Sequence, residues 1–213
     1  MCRIKPAEDI VVARLMNDVS QILSRDFYLR DDVVEIARGL LGMHLCTRIN
    51  NRLTKVLITE TEAYAGVADK GSHAYGERRT KRTEPMFAEG GVAYVYLCYG
   101  IHHLFNVVTN IDGTPHAVLV RAGDPLEGVD VMLERRKRPA VDAKLLAGPG
   151  TVAQALGITT THSGLELTGP AIWIESGAPD EIAREIIAGP RIGIDYAEED
   201  ALLPYRFRLR SPV

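Results

Sequence analysis

Cysteine is scarce in this sequence. Among 213 residues only Cys2, Cys46 and Cys98 carry thiols, far apart and odd in number. Such spacing indicates neither a disulfide framework nor a zinc site, and it suits a reducing cytoplasm. No apolar run approaches the roughly 20 residues of a bilayer-spanning helix, so no membrane association is expected. Ile10 to Leu15 is apolar, but Asp9, Arg14 and Asn17 interrupt the region, and no secretory signal is expected either. Internal repeats and low-complexity tracts are missing. Nor is there an excess of positive charge. A net charge of -3 argues against a generic polyanion binder, although a balanced total can hide a basic face.

What remains is an ordinary globular composition, 46% hydrophobic and 25% charged, long enough for one domain over residues 1–213 with a real core. Residues 9–23 have helical spacing, and a second helix is expected from Asp32 to Leu41, acidic at its start and ended by Gly42. Strand-like runs at 43–49 and 53–60 flank Asn50-Asn51, a hairpin turn. Residues 65–90, rich in glycine and charge, read as a long irregular loop, a feature that is usually functional or disordered. A tyrosine-bearing strand follows and turns at Gly100, with a return strand at 103–109 and a further run at 116–122. Helices are expected at 126–136 and 149–157, and YRFRLR at the end alternates like an edge strand. Strands cluster in the middle with helices on the flanks, which predicts an α+β domain with a mainly antiparallel sheet.

Tyr94, Tyr96 and Tyr99 place three of the chain's 8 tyrosines in six positions, the last of them directly before the turn glycine. A large ring at a hairpin tip raises the question of what it meets there. In TETEAY (59–64), regular alternation puts Val56, Ile58, Glu60 and Glu62 on one side, so a core-facing stripe runs on into carboxylates. Such a strand end either emerges into solvent or sets a carboxylate at the mouth of a cleft, where partial burial tunes it for base chemistry. His73, alone in its loop, is a surface hydrogen-bonder or a catalyst. Arg78, Arg79, Lys81 and Arg82 lie beside Thr80 and Thr83, either as a solvated run or as a phosphate clamp. Arg135-Arg136-Lys137-Arg138 has the stronger claim to being plain surface. Arg121 ends an apolar run and needs an anionic partner or water. Asn106 ends the return strand.

Each signal is weak alone, but their order is specific. TETEAY (59–64), His73, RRTKRT (78–83), Met86-Phe87, YVYLCYG (94–100), Asn106, LVRA (119–122), DPLEG (124–128) and GPGTVAQALGI (148–158) occur together. This combination resembles the alkyladenine (N-methylpurine, 3-methyladenine) DNA glycosylase family, from about Asp26 to Pro212. The resemblance implies a single α+β domain with a curved, mainly antiparallel sheet, flanking helices and a protruding β-hairpin, comparable to a formyltransferase C-terminal domain. Residues 1–25 would form an N-terminal helical extension without an obvious counterpart. Two further departures are Thr151, where some relatives carry a lysine, and two extra residues between Asn106 and Arg121.

Carried over residue by residue, the resemblance implies that Glu62 activates a water and that Arg121 lies near that water and the target nucleotide. Tyr64, His73 and Tyr96 would enclose and read a flipped base, with Leu119 in the same pocket and Asn106 screening against normal guanine. Tyr99 would be the wedge that fills the vacated base stack. Arg78 and Thr80 would touch phosphates, within a basic run that also holds Arg79, Lys81 and Arg82. The implied activity is monofunctional release of 3-methyladenine, 7-methylguanine, hypoxanthine or ethenoadenine from duplex DNA by a cytoplasmic, nucleoid-associated monomer. No metal or organic cofactor is required, and no lysine occupies the nucleophile position. A non-catalytic damage binder is disfavoured by the intact Glu62 and Arg121. A hydrolase or formyltransferase-like enzyme on free nucleosides would leave Tyr99 and the basic run idle.

Overall fold

The structure, a computed structural model, describes residues 22–210. Strand β2, Arg52–Tyr64, is its spine. β1 (His44–Ile49) pairs with the first half of one edge of β2 and β8 (Arg206–Leu209) with Glu60–Glu62, while β5 (His116–Glu127) runs along the other edge. The sheet order is β3-β4-β5-β2-β1-β6, with β3 at Ala93–Cys98, β4 at His102–Thr109 and β6 at Ile172–Glu175. β7 (Ile186–Gly189) adds to β8. Every pairing is antiparallel, and because β1 and β8 share one edge of β2 the sheet curls.

Local chemistry accounts for much of this. Asn50 and Asn51, both at positive φ (54° and 58°), close the β1–β2 hairpin as its two-residue turn requires. Of the helices, α1 covers Arg25–Tyr28 and α2 covers Val33–Gly39. Asp32 caps α2, its side chain accepting from the N–H groups of Val34 and Glu35 at 2.8 and 3.1 Å. α3 (Val129–Arg136) and α4 (Pro149–Leu156) pack on each other, and α4 lies on β4 and β5. Ile36, Leu40, Ile58, Phe105, Met132 and Leu156 meet in the core between helices and sheet, each burial stabilising by roughly 1.5–3 kcal/mol. A short helix α5, Pro179–Ile182, precedes β7.

Three expectations need correction. The alternating C-terminal strand is not an edge, since β8 lies between β2 and β7; alternation reports two unlike faces, not the lack of a neighbour. The helix expected from 126 starts only at Val129, because pairing with β2 keeps the chain extended through Glu127. The helix expected over 9–23, and with it most of the 1–25 extension, lies outside the described residues. Its last two positions are not helical: Ile22 forms an isolated bridge to Glu175, and the Leu23 N–H donates to Ile174 O. Residues 65–90 carry only 3₁₀ turns between β2 and β3, as a long irregular loop should. Among the described residues no helix is long and apolar enough to cross a membrane.

Candidate active site

Two β-bulges aim the carboxylates. Along the β2–β5 ladder Ile58 faces Gly123, Glu60 faces Ala122 and Thr61 faces Val120, so Thr59 and Arg121 are each left without a partner. The core side then passes from Ile58 to Thr61, whose hydroxyl donates to Ala37 O in α2 at 2.8 Å, and to Ala63. Glu60, Glu62 and Tyr64 are thereby turned to the opposite face. The regular alternation expected from sequence, with the carboxylates continuing the core stripe, is overturned; a bulge next to a site re-aims side chains in this way.

Glu62 is fully buried and fully engaged on three sides. Its Oε1 accepts from the Ile192 N–H at 2.8 Å, and its Oε2 accepts from the Tyr64 hydroxyl at 2.9 Å and Arg121 Nη1 at 3.1 Å. A carboxylate offers about four acceptor positions, so one remains on Oε1. Burial of such a group is tolerable only with donors of this kind around it. Arg121 bridges the two acids, its Nε donating to Glu60 Oε1 at 3.1 Å while Arg206 Nε donates to the same oxygen at 2.6 Å. Burial, and secondly the charge of Glu62, hold the Tyr64 hydroxyl well above its usual pKa, so it stays a donor.

Beside this bed is a cavity of about 360 Å³, lined among others by Tyr64, His73, Tyr96, Tyr99, Leu119 and Arg121. Six residues singled out from sequence and 57 positions apart at the extremes thus converge on one space. The His73 and Tyr96 rings meet edge-on with centroids 4.5 Å apart, and His73 Nδ1 lies 2.9 Å from the Tyr94 hydroxyl. Burial first, then the charges of Arg82 and Arg78, push His73 down from 6.5 to about 4. Asn106 does not line the cavity. It is buried opposite Leu119 and Tyr94 in the ladder, and its amide donates to Tyr94 O at 3.1 Å.

At the cavity mouth the β3–β4 hairpin turns through Tyr99 (φ +51°) and Gly100 (φ +73°). Tyr99 is 91% exposed. A bulky residue in the left-handed region costs on the order of 1–3 kcal/mol, and this ring regains none of it by packing in the folded chain. The basic run beneath is less uniform than its sequence. Arg78 and Lys81 are exposed and have no carboxylate partner among the described residues. Arg79 is tied to Glu84 by a forked pair at 2.7 and 3.0 Å, and the Thr80 hydroxyl lies 3.2 Å from that of Thr83. Arg82 folds back against the His73 and Tyr96 rings. The Thr151 hydroxyl is turned onto Gly148 at the start of α4.

Sequence reasoning missed the group that holds the bed in place. Arg191, buried, forks onto Asp69, donates to Ala63 O at 2.9 Å and covers the Tyr64 ring at 4.8 Å. Its neighbour Ile192 supplies the N–H to Glu62. Asp69 also accepts from the N–H groups of Ala65 and Gly71, which shapes the loop leading to His73. Asp69 and Arg191 are 122 positions apart, and no local pattern joins them. Glu60 had been noted as a carboxylate, but not as the support of Arg121.

Comparison with known proteins identifies the family. The sequence model of the family described as methylpurine-DNA glycosylase matches residues 26–212. A relative from Chlamydia felis, named "Putative 3-methyladenine DNA glycosylase", is 49% identical over 88% of this chain and 96% of its own. Relatives of the same name from Chlamydia abortus (47% identical, 88% and 98% covered) and Desulfitobacterium hafniense (39%, 89% and 95%) also match. The family model spans the carboxylate bed, the cavity and the hairpin alike, and the chain belongs to the methylpurine-DNA glycosylase family.

Proposed function

We propose that this protein is a monofunctional DNA glycosylase of base excision repair, of the 3-methyladenine type, acting on alkylated or deaminated purines in duplex DNA. A paired base hides its glycosidic bond, so enzymes of this class extrude the nucleotide, at a cost of a few kcal/mol. Tyr99 fills the gap left in the stack, and base–aromatic stacking of roughly 1–3 kcal/mol offsets part of that cost. Arg78 and Lys81 neutralise phosphates. The flipped base lies in the 360 Å³ cavity against Tyr64, His73, Tyr96 and Leu119, while Asn106 stiffens the wall that rejects the guanine amino group.

The observation that carries this reading is buried Glu62 held by three donors, from Tyr64, Arg121 and Ile192, which all line a cavity that also bears the exposed Tyr99. A water held on Oε1 gives a proton to Glu62 as its oxygen bonds to the sugar C1′. The C1′–N bond breaks, and its electron pair leaves with the base. Attack opposite the departing base implies inversion and an oxocarbenium-like transition state, by analogy with glycoside hydrolysis. The carboxylate lies where that positive charge develops, and Arg121 holds the carboxylate and the water in register. The product is an intact strand with an abasic site.

Incubating the protein with a duplex containing hypoxanthine tests this. Free hypoxanthine and a strand that breaks only on alkali treatment are expected. Release of neither would reject the assignment, and a strand already nicked without alkali would reject its monofunctional part. Binding to lesion DNA with no release would leave a damage binder instead.

A further inference from the structure

Arg82 has a different environment from the other cations of its loop. Its guanidinium carbon lies 5.0 Å from the Tyr96 ring centroid, and its Nη2 is 3.1 Å from His73 Nε2. The same Nη2 lies 3.4 Å from His73 Nδ1, so the guanidinium rests against the imidazole as a whole, beside a ring that faces the cavity. Arg82 also lines a second cavity of about 450 Å³, with Lys81, Thr160 and Ser163, and the two cavities share Arg82, Tyr96 and Leu97. Arg82 thus stands in the partition between base pocket and outer basic groove.

On the glycosylase reading above, we infer that Arg82 is a specificity-determining residue that selects the flipped base by charge, favouring neutral purines that present an acceptor over cationic N-alkylated ones. The 360 Å³ cavity is present with Arg82 seated, and that volume falls in the usual range of small-ligand sites, so a base enters beside the guanidinium and need not displace it. A cationic purine would otherwise gain from the electron-rich Tyr96 face. Here a permanent positive charge already occupies that neighbourhood, and like charges at such range disfavour one another. A 6-oxo group meets a donor instead. The same repulsion is visible on His73, whose protonation Arg82 opposes after burial. Because Arg82 is exposed at its outer side, solvent screening limits the effect.

The test compares single-turnover release of hypoxanthine and 7-methylguanine from matched duplexes by the wild type, Arg82→Gln, Arg82→Lys and Lys81→Gln. Arg82→Gln is expected to raise the 7-methylguanine to hypoxanthine rate ratio about tenfold. Arg82→Lys, which keeps the charge, should stay near the wild-type ratio, and it supplies the comparison if the glutamine variant folds poorly. Lys81→Gln should weaken DNA binding without moving the ratio. An Arg82→Gln protein that loses both activities equally would make Arg82 a phosphate contact only and overturn the inference, as would an unchanged ratio. If the wild type releases neither base, the glycosylase reading fails first and takes this inference with it.

Discussion

The carboxylate bed and the hairpin tip both contribute to one cavity and are built on opposite principles. Around Glu62 three of about four acceptor positions are filled, the ring of Tyr64 is covered by Arg191, and Arg191 is clamped by Asp69. At the tip a tyrosine stands in a strained backbone conformation, 91% exposed, packed against nothing. A group that must transfer a proton at a defined position benefits from being held before the substrate arrives. A group that must enter another molecule's base stack has to be left unsatisfied by its own chain. On the proposed glycosylase reading, the difference separates the parts of the molecule that complete themselves from the part left for DNA to complete.

That contrast can be broken first at Glu62. Glu62→Gln keeps the shape but cannot take a proton from water, so excision should fall by at least about 100-fold while lesion-DNA affinity stays within a few fold. Single-turnover release at the wild-type rate would remove Glu62 from the chemistry. The second test asks whether the bed is held from behind. Arg191→Met leaves Asp69 buried without its partner and should cost about 3–5 kcal/mol in denaturant unfolding, with excision reduced as well. An unchanged midpoint would show that the Ile192 amide and the Tyr64 ring need no such clamp.

The tip should respond in the opposite sense. Tyr99→Ala should leave unfolding nearly unchanged, since the ring packs against nothing, yet weaken flipping by about 1–3 kcal/mol, read from a fluorescent reporter lesion. Equal loss of flipping and of non-specific DNA binding would reduce Tyr99 to one more general contact. His73 separates the two regions by pH. Its folded pKa of about 4 lies below 6.5, so between these values the unfolded chain binds a proton that the folded chain refuses. Its contribution is therefore fully present above pH 6.5 and is lost as the pH falls to about 4. Unfolding titrations over that window should be steeper for the wild type than for His73→Gln; identical slopes would contradict the burial. The smallest effect is expected at Asn106, which braces Tyr94 and does not line the cavity. Asn106→Ser should modestly raise guanine release relative to hypoxanthine on mismatched duplexes, and a constant ratio would place the guanine screen elsewhere.

The two basic blocks show how far sequence could be read. Both put four cations within five positions or fewer, and both look alike as text. In the structure Arg135 donates to Ala155 O and Ile49 O, and Arg136 to Leu145 O, so the second block binds carbonyl groups of the fold, including one near the end of α4. The first keeps Arg78 and Lys81 free of carboxylates among the described residues and sends Arg82 into the pocket wall. Charge density is a property of the string, whereas availability depends on which carbonyls and carboxylates the fold brings near.

By itself the sequence determined the elements whose signals are local. The Asn50-Asn51 turn follows from residues that tolerate positive φ, the Asp32 cap from a side chain that reaches two amides on, and the Tyr99-Gly100 tip from a glycine after a run of β-formers. It also contained, through the order of its motifs, six of the residues that line the cavity, but not Ile192, Ile194 or Tyr196 from the far end of the chain. Tertiary structure alone decided which way they face. The bulges at Thr59 and Arg121 arise from the mutual register of two strands, a relation no single strand encodes, and they turn Glu60 and Glu62 away from the core side that alternation assigned them. The Asp69–Arg191 clamp joins positions 122 apart, and burial makes it strong only after the chain has folded around it.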